Sequence, residues 1–194
     1  MDRGQQRCVL LRHGDTEWSR SGRHTGRTDL PLLTEGEEQA LAQRSRLASY
    51  SFTLILTSPL SRARRTCELA ELGEPIEVDP DLLEWDYGAY EGRRTADIRE
   101  ERPGWNLFDH GAPEGERAAE VGARVDRVIA RIRAVPGDVA CVAHAHVLRV
   151  LAARWVGLEA SGGRHFVLGP AAVSVLGWER ERPVVVHWNG TPDW

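Results

Sequence analysis

Three short runs of consecutive apolar residues punctuate the chain, and each stops abruptly at polar sequence. Cys8, Val9, Leu10 and Leu11 end at Arg12-His13-Gly14, residues 53–57 (TLILT) end at Ser58-Pro59, and residues 139–143 (VACVA) end at His144. Runs without alternation predict strands covered on both faces, as in a parallel sheet. Between them the apolar period lengthens to that of a helix. Thr34-Glu35-Gly36-Glu37 has the spacing of a capping box, and Ala40, Leu41, Leu47 and Ala48 then share one face toward Tyr50. An arginine-rich helix is expected from Ser58-Pro59 to Leu72. Residues 116–134 present Val121, Val125, Val128, Ile129 and Ile132 to a core until Pro136-Gly137 ends the element, and residues 146–156 read as a further helix.

Residues 76–78 suit a short edge strand, and strands over 166–168, 173–178 and 184–187 would complete the sheet. Val184 to Val186 would serve equally as an interior strand or as an edge that pairs with another subunit in a homo-oligomer. Residues 80–115 carry many Gly, Pro and aromatic residues with little periodicity, which predicts a lid or insertion. Strands alternating with helices imply an α/β fold, a three-layer α/β/α sandwich around a mostly parallel sheet. We expect one domain over residues 1–194, a length that can bury a core without disulfides or metal.

Composition narrows the partners. With 25 basic and 29 acidic residues the formal charge is -4, which argues against a nucleic-acid surface and against attraction to an anionic membrane. All the basic residues are arginine, so lysine Schiff-base chemistry and a lysine phosphate loop are excluded. Cys8, Cys67 and Cys141 form neither a C-x-x-C pair nor a zinc-ligand spacing, and their odd number fits a reducing, cytoplasmic setting. Residues 1–7 lead directly into the first strand without a signal-peptide h-region, and no apolar stretch approaches the roughly 20 residues of a membrane span.

In an open α/β sheet the ligand site lies beyond the carboxyl ends of the strands. Here those ends carry Arg12 and His13, then Arg62 just after the second strand, then His144. The sequence LLRHGDTEWS at 10–19 resembles the R-H-G signature of the phosphoglycerate mutase-like histidine phosphatases, and TSPLSRARRT at 57–66 is similar to their second arginine motif. LLEWDYGAYEG at 82–92 and VAHAH at 142–146 continue the match in the family's order, over essentially the whole chain.

The resemblance implies that His13 is the nucleophile, and a neutral imidazole between arginines is chemically suited to attack phosphorus in line. Arg12 and Arg62 are implied as the phosphate clamp, since guanidinium forks bind phosphoryl oxygens bidentately. His144 is the implied partner imidazole on the transferring group, and Glu84 the general acid, with Asp86 as the alternative. A raised Glu84 pKa is expected from Leu82, Leu83 and Trp85, with protonation mainly when substrate is bound. Thr25 and the Gly26 amide fit phosphate-contact positions in the loop at 19–29, and His24, Tyr87 and Arg93 are candidate substrate-side contacts. Ser19 stands where many members carry asparagine, Ala145 where glycine is usual, and Arg117 where serine is common. Ala145 places a methyl beside a backbone amide that would face phosphate. His146 is read as structural rather than as half of an H-x-H metal site, Glu91 as structural, and neither metal nor other cofactor is expected.

The implied activity is hydrolysis of a small phosphomonoester through phosphohistidine, most like the sugar-phosphate phosphatases of the superfamily. The alternative is a cofactor-dependent phosphoglycerate mutase. Such mutases carry a longer insertion with an arginine pair for a carboxylate, whereas here the region is short and offers only Arg93-Arg94 followed by acidic residues.

Overall fold

A computed structural model describes residues 6–191. Strands β1 (Cys8–Arg12), β2 (Phe52–Thr57), β3 (Ile76–Val78), β4 (Asp138–Ala143), β5 (Val173–Glu179) and β6 (Arg182–Gly190) form one sheet in the order β3-β2-β4-β1-β5-β6. The first four run parallel, while β5 is antiparallel to β1 and β6 to β5. The mostly parallel sheet is therefore as expected, and β6 occupies an edge.

Alternate residues of the apolar runs feed two cores. Leu10, Leu56, Cys141 and Leu176 face one side, where helices α7 (Ala118–Ala134) and α8 (Ala145–Trp155) supply Val121, Val125, Leu148 and Leu151. Val9, Leu11, Ile55, Ala140 and Val142 face the other, against Leu47, Cys67 and Ala70. Those residues come from or adjoin α3 (Arg44–Leu47) and α4 (Ser61–Leu69). This sorting is why the strands read as continuous apolar runs.

The structure corrects several local expectations. The capping box at residues 34–37 does not form: Thr34 is already helical in α2 (Thr34–Ala42), and the cap is Leu33 without a side-chain bond. The helix breaks at Gln43, whose side-chain amide donates to the carbonyl of Ala171 (2.8 Å), and resumes as α3 to end at Leu47, short of Tyr50. Within the loop at 19–29 the sequence hid the end of α1 (Glu17–Ser21), which Thr16 and Ser19 cap reciprocally. Residues 166–168 are not a strand. Their carbonyls serve side chains instead, Leu168 accepting from Arg12 Nη1 and Val167 from Trp188 Nε1, both at 2.5 Å.

Residues 80–115 contain α5 (Thr95–Glu101) and α6 (Leu107–His110), and they bury Leu82, Trp85, Tyr87, Tyr90, Ile98, Trp105 and Phe108 in the α7–α8 core. The segment is thus anchored by its aromatic residues. Among the described residues no helix is long and apolar enough to cross a membrane.

Candidate active site

A cavity of about 270 Å³ opens at the carboxyl end of β1, lined by Arg12, His13, Ser19, Arg23, His24, Thr25, Glu84, Tyr87, Ala145, His146, Arg149 and Val167 among others. A larger groove of about 510 Å³ lies between α6, the start of α7 and residues 159–161, and holds none of the strand-end groups. The smaller cavity is therefore the one with chemistry.

His13 follows β1 directly, and its backbone is locked by hydrogen bonds to Ala143 and Ala171 on either side. The loop can turn sharply here because Gly14 lies against Gly36 of α2. A Cβ on Gly14 would stand 2.1 Å from the Gly36 carbonyl oxygen, closer than any side chain can approach. His13 Nδ1 donates to the Gly14 carbonyl at 2.7 Å, so the proton sits on Nδ1 and Nε2 keeps its lone pair. Burial, reinforced by the charges of Arg62 and Arg12, holds the imidazole well below its usual pKa and therefore neutral.

Arg12 gives one Nη1 hydrogen to the Leu168 carbonyl, while its buried Nε–H has no acceptor among the described residues. An unpaired buried guanidinium donor is costly unless an anion completes it. Arg62 differs. It is fully buried, and four hydrogen bonds commit it: Nε to His144 Nδ1 (3.2 Å), Nη1 to Thr28 O, and Nη2 to Thr25 O and Gly26 O. The sequence reading gave Arg12 and Arg62 one role as a phosphate clamp; in the structure Arg62 is not among the residues lining the cavity and is bonded to His144 and the loop carbonyls. His144 is equally buried, its ring 5.0 Å from that of His13, and burial followed by the Arg62 charge keeps it neutral. Since Nδ1 accepts from Arg62, Nε2 carries the hydrogen and donates to Ser58 Oγ at 2.7 Å. Ser58 was read in the sequence only as a strand breaker, yet it belongs to this cluster.

Glu84 lies at the opposite wall, at the start of α8. Its Oε1 accepts from the Trp85 and Val147 amides, both at 2.9 Å, and its Oε2 from the His146 amide at 3.0 Å. Burial pushes the carboxyl up, but the three amides it accepts from outweigh it and hold the pKa below the usual range. The raised pKa expected from Leu82, Leu83 and Trp85 is therefore not that of the free protein. The segment bearing Glu84 is stapled by Arg124 of α7, which donates to the carbonyls of Asp81, Leu83 and Glu84 and pairs with Glu116 at 2.8 Å. Asp86, the alternative acid, instead caps the Gly88 amide and approaches Arg27, outside the cavity.

The remaining candidates divide. Tyr87, His24, Thr25, Ser19 and Ala145 line the cavity. Ser19 Oγ is engaged with Asp15 and Thr16, and the Gly26 amide is taken by Glu91 Oε1 at 2.9 Å, so Gly26 offers no free donor. Gly26 is there for space: a Cβ would meet the Trp85 carbonyl at 2.5 Å. Arg93 turns away to Glu101 and Arg94 to Asp97, so neither of this pair reaches the cavity. The sequence reading missed Arg149, which lies over the Phe108 ring at 4.6 Å, and Arg23 on the rim; with so many arginines, composition hid them. Among the described residues no group of three or more His, Cys, Asp or Glu is arranged to hold a metal ion.

Comparison with known proteins places the chain in a family. The family model described as histidine phosphatase superfamily (branch 1) matches residues 8–191. An acid phosphatase of Mycobacterium tuberculosis is 39% identical over 177 residues, covering 89% of this chain and 87% of the relative. Sedoheptulose 1,7-bisphosphatase of Saccharomyces cerevisiae is 40% identical over 185 residues, covering 78% of this chain and 68% of the relative. A protein of Salmonella arizonae named "Probable phosphoglycerate mutase" is 31% identical over 189 residues, covering 92% and 88%. A solved structure of a Mycobacterium tuberculosis open reading frame superposes with a TM-score of 0.91 at 36% identity, covering 96% of this chain and 98% of that one.

Proposed function

The chain belongs to the histidine phosphatase superfamily (branch 1) and is a phosphatase of phosphomonoesters, and from that premise we propose that His13 Nε2 carries the phosphoryl group between substrate and water. The observation that carries this reading is the tautomer: Nδ1 is tied to the Gly14 carbonyl, which leaves the Nε2 lone pair for the cavity beside the unsatisfied Nε–H of Arg12.

In the first half-reaction Nε2 attacks phosphorus as the ester P–O bond breaks, and the departing oxygen takes a proton from Glu84. In the second, water attacks phosphorus, its proton returns to Glu84, and the N–P bond breaks to release inorganic phosphate. Arg12 holds the equatorial oxygens. Arg62 acts through its charge and through what it fixes, namely His144 and the carbonyls of residues 25–28. Arg62 and Ser58 together fix the His144 ring beside that of His13. Because Glu84 is ionised in the free protein, its proton arrives with the substrate, as a phosphomonoester monoanion.

The substrate we infer is a small phosphorylated metabolite of the sugar-phosphate class. A cavity of about 270 Å³ rimmed by Arg23, His24, Arg149 and Ser19 suits a compact polyhydroxylated ester. The mutase reading is weaker here, since both guanidinium groups of Arg93-Arg94 are already paired with carboxylates. The three free, buried cysteines fit a reducing, cytoplasmic compartment. The deciding experiment is a panel of phosphomonoesters assayed for phosphate release, with 3-phosphoglycerate isomerisation measured in parallel and His13→Ala as control. Isomerisation outpacing phosphate release would overturn the phosphatase reading.

A further inference from the structure

The acid wall of the cavity poses a problem of proton competition. Glu84 Oε1 is filled by two amides, so Oε2, with one, is the oxygen left to carry a proton. His146 Nδ1 lies 3.7 Å from that oxygen. An imidazole is intrinsically more basic than a carboxylate by about two pK units. A proton placed on Glu84 would therefore pass to His146 and form an imidazolium-carboxylate pair useless for protonating an alkoxide.

The structure contains a block. Tyr87 Oη is 2.6 Å from the same Nδ1. Burial, followed by the Glu84 charge, pushes the Tyr87 phenol well above its usual range, so it keeps its hydrogen and donates it. Burial likewise lowers His146 against the pull of Glu84, which leaves a neutral ring with its hydrogen on Nε2. Tyr87 is itself fixed by His24, whose ring lies 4.6 Å away and is held in turn near Thr95 Oγ1.

We propose that Tyr87 and His146 form a positioning pair in which the phenol caps Nδ1 and so reserves the proton for Glu84 Oε2. The inference rests on Glu84 being the proton donor. The other charged or titratable groups around the pair are Arg12 and His13 beside β1, His24 after α1, Arg62 of α4, Glu91 near Tyr87, and His144 and Arg149 around α8. None of these hydrogen-bonds Nδ1 of His146. The cap is the Tyr87 hydroxyl.

The test compares an alkyl phosphate, whose leaving group needs a proton, with p-nitrophenyl phosphate, whose leaving group does not. In Tyr87→Phe the alkyl-to-aryl ratio of kcat should fall about 10- to 100-fold. The double variant Tyr87→Phe/His146→Leu removes the competing base while keeping the backbone amides, and should restore the ratio to within a few-fold of wild type. In parallel, nitrogen-15 NMR of the ring should report an Nε2–H tautomer in wild type and a higher His146 pKa in Tyr87→Phe, with or without turnover. A double variant no better than the single one, or a ratio unchanged in Tyr87→Phe, overturns the proposal. If Glu84→Gln leaves the wild-type ratio intact, the assignment of Glu84 fails instead, and the NMR readout still decides whether Tyr87 caps His146.

Discussion

The two walls of the cavity are built by different means. His13, Arg62 and His144 stand at or just beyond the ends of β1, β2 and β4, interior strands of the sheet, and Arg62 spends four hydrogen bonds holding its neighbours. Glu84 stands on irregular backbone between β3 and α5, held by the first amides of α8 and by the Arg124–Glu116 staple. The nucleophile wall takes its precision from the sheet. The acid wall takes it from side chains reaching across from α7, so each wall should fail in its own way.

The largest effect belongs to the nucleophile wall. His13→Ala should lose on the order of 10⁴-fold or more in kcat for every substrate, with no acid-labile phosphoenzyme trapped after rapid quench. Circular dichroism should remain native. On the other wall, Arg124→Leu removes the ion-pair partner of the part-buried Glu116 carboxylate and the donor to three backbone carbonyls, and unfolding in urea should show a loss of about 2–3 kcal/mol. Substituting Arg124 and Glu116 together by apolar residues should recover much of that stability but not the placement of Glu84.

Glu84→Gln should separate leaving groups, slowing alkyl phosphates about 10²-fold or more while sparing aryl ones. In wild type, kcat/KM for alkyl phosphates should decline as pH rises through about 6, where a monoester loses its second proton. A profile flat from pH 5 to 8 would contradict delivery of the proton by the substrate.

The last effect is confined to acid pH and concerns His24, whose pKa is lowered to about 4 by burial and then by His146. Its unfolded value is near 6.5, so between these values the unfolded chain binds the proton and the folded one does not. The His24 contribution is thus whole above pH 6.5 and is lost as pH falls toward 4, by about 3 kcal/mol. Chemical denaturation of His24→Phe across that window should show a correspondingly flatter pH dependence.

What could be read from the sequence follows the same division. Strand-end groups were legible because a buried parallel strand announces itself as an apolar run and must stop where the ligand site begins. The segment around Glu84 was not, since its order comes from Arg124, Glu116 and buried aromatic residues whose partners lie 30 or more positions away. Arg62 was visible as a cation beside phosphate, but its commitment to the Thr25 and Gly26 carbonyls depends on how a loop folds back. Residues 166–168 carried strand-like side chains while their carbonyls were reserved for Arg12 and Trp188. Local propensity does not encode such bonds.

The reversed direction of β5 has a consequence for how much of the chain the site needs. Because β5 runs against β1, the residues leading into it, not those leaving it, abut the nucleophile: Ala171 donates to the His13 carbonyl and Ala172 accepts from the Arg12 amide. The seat of His13 is therefore completed by backbone about 160 positions further along the sequence. A fragment that stops short of β5 would hold His13 without the backbone wall that seats it, and should be inert toward phosphate esters.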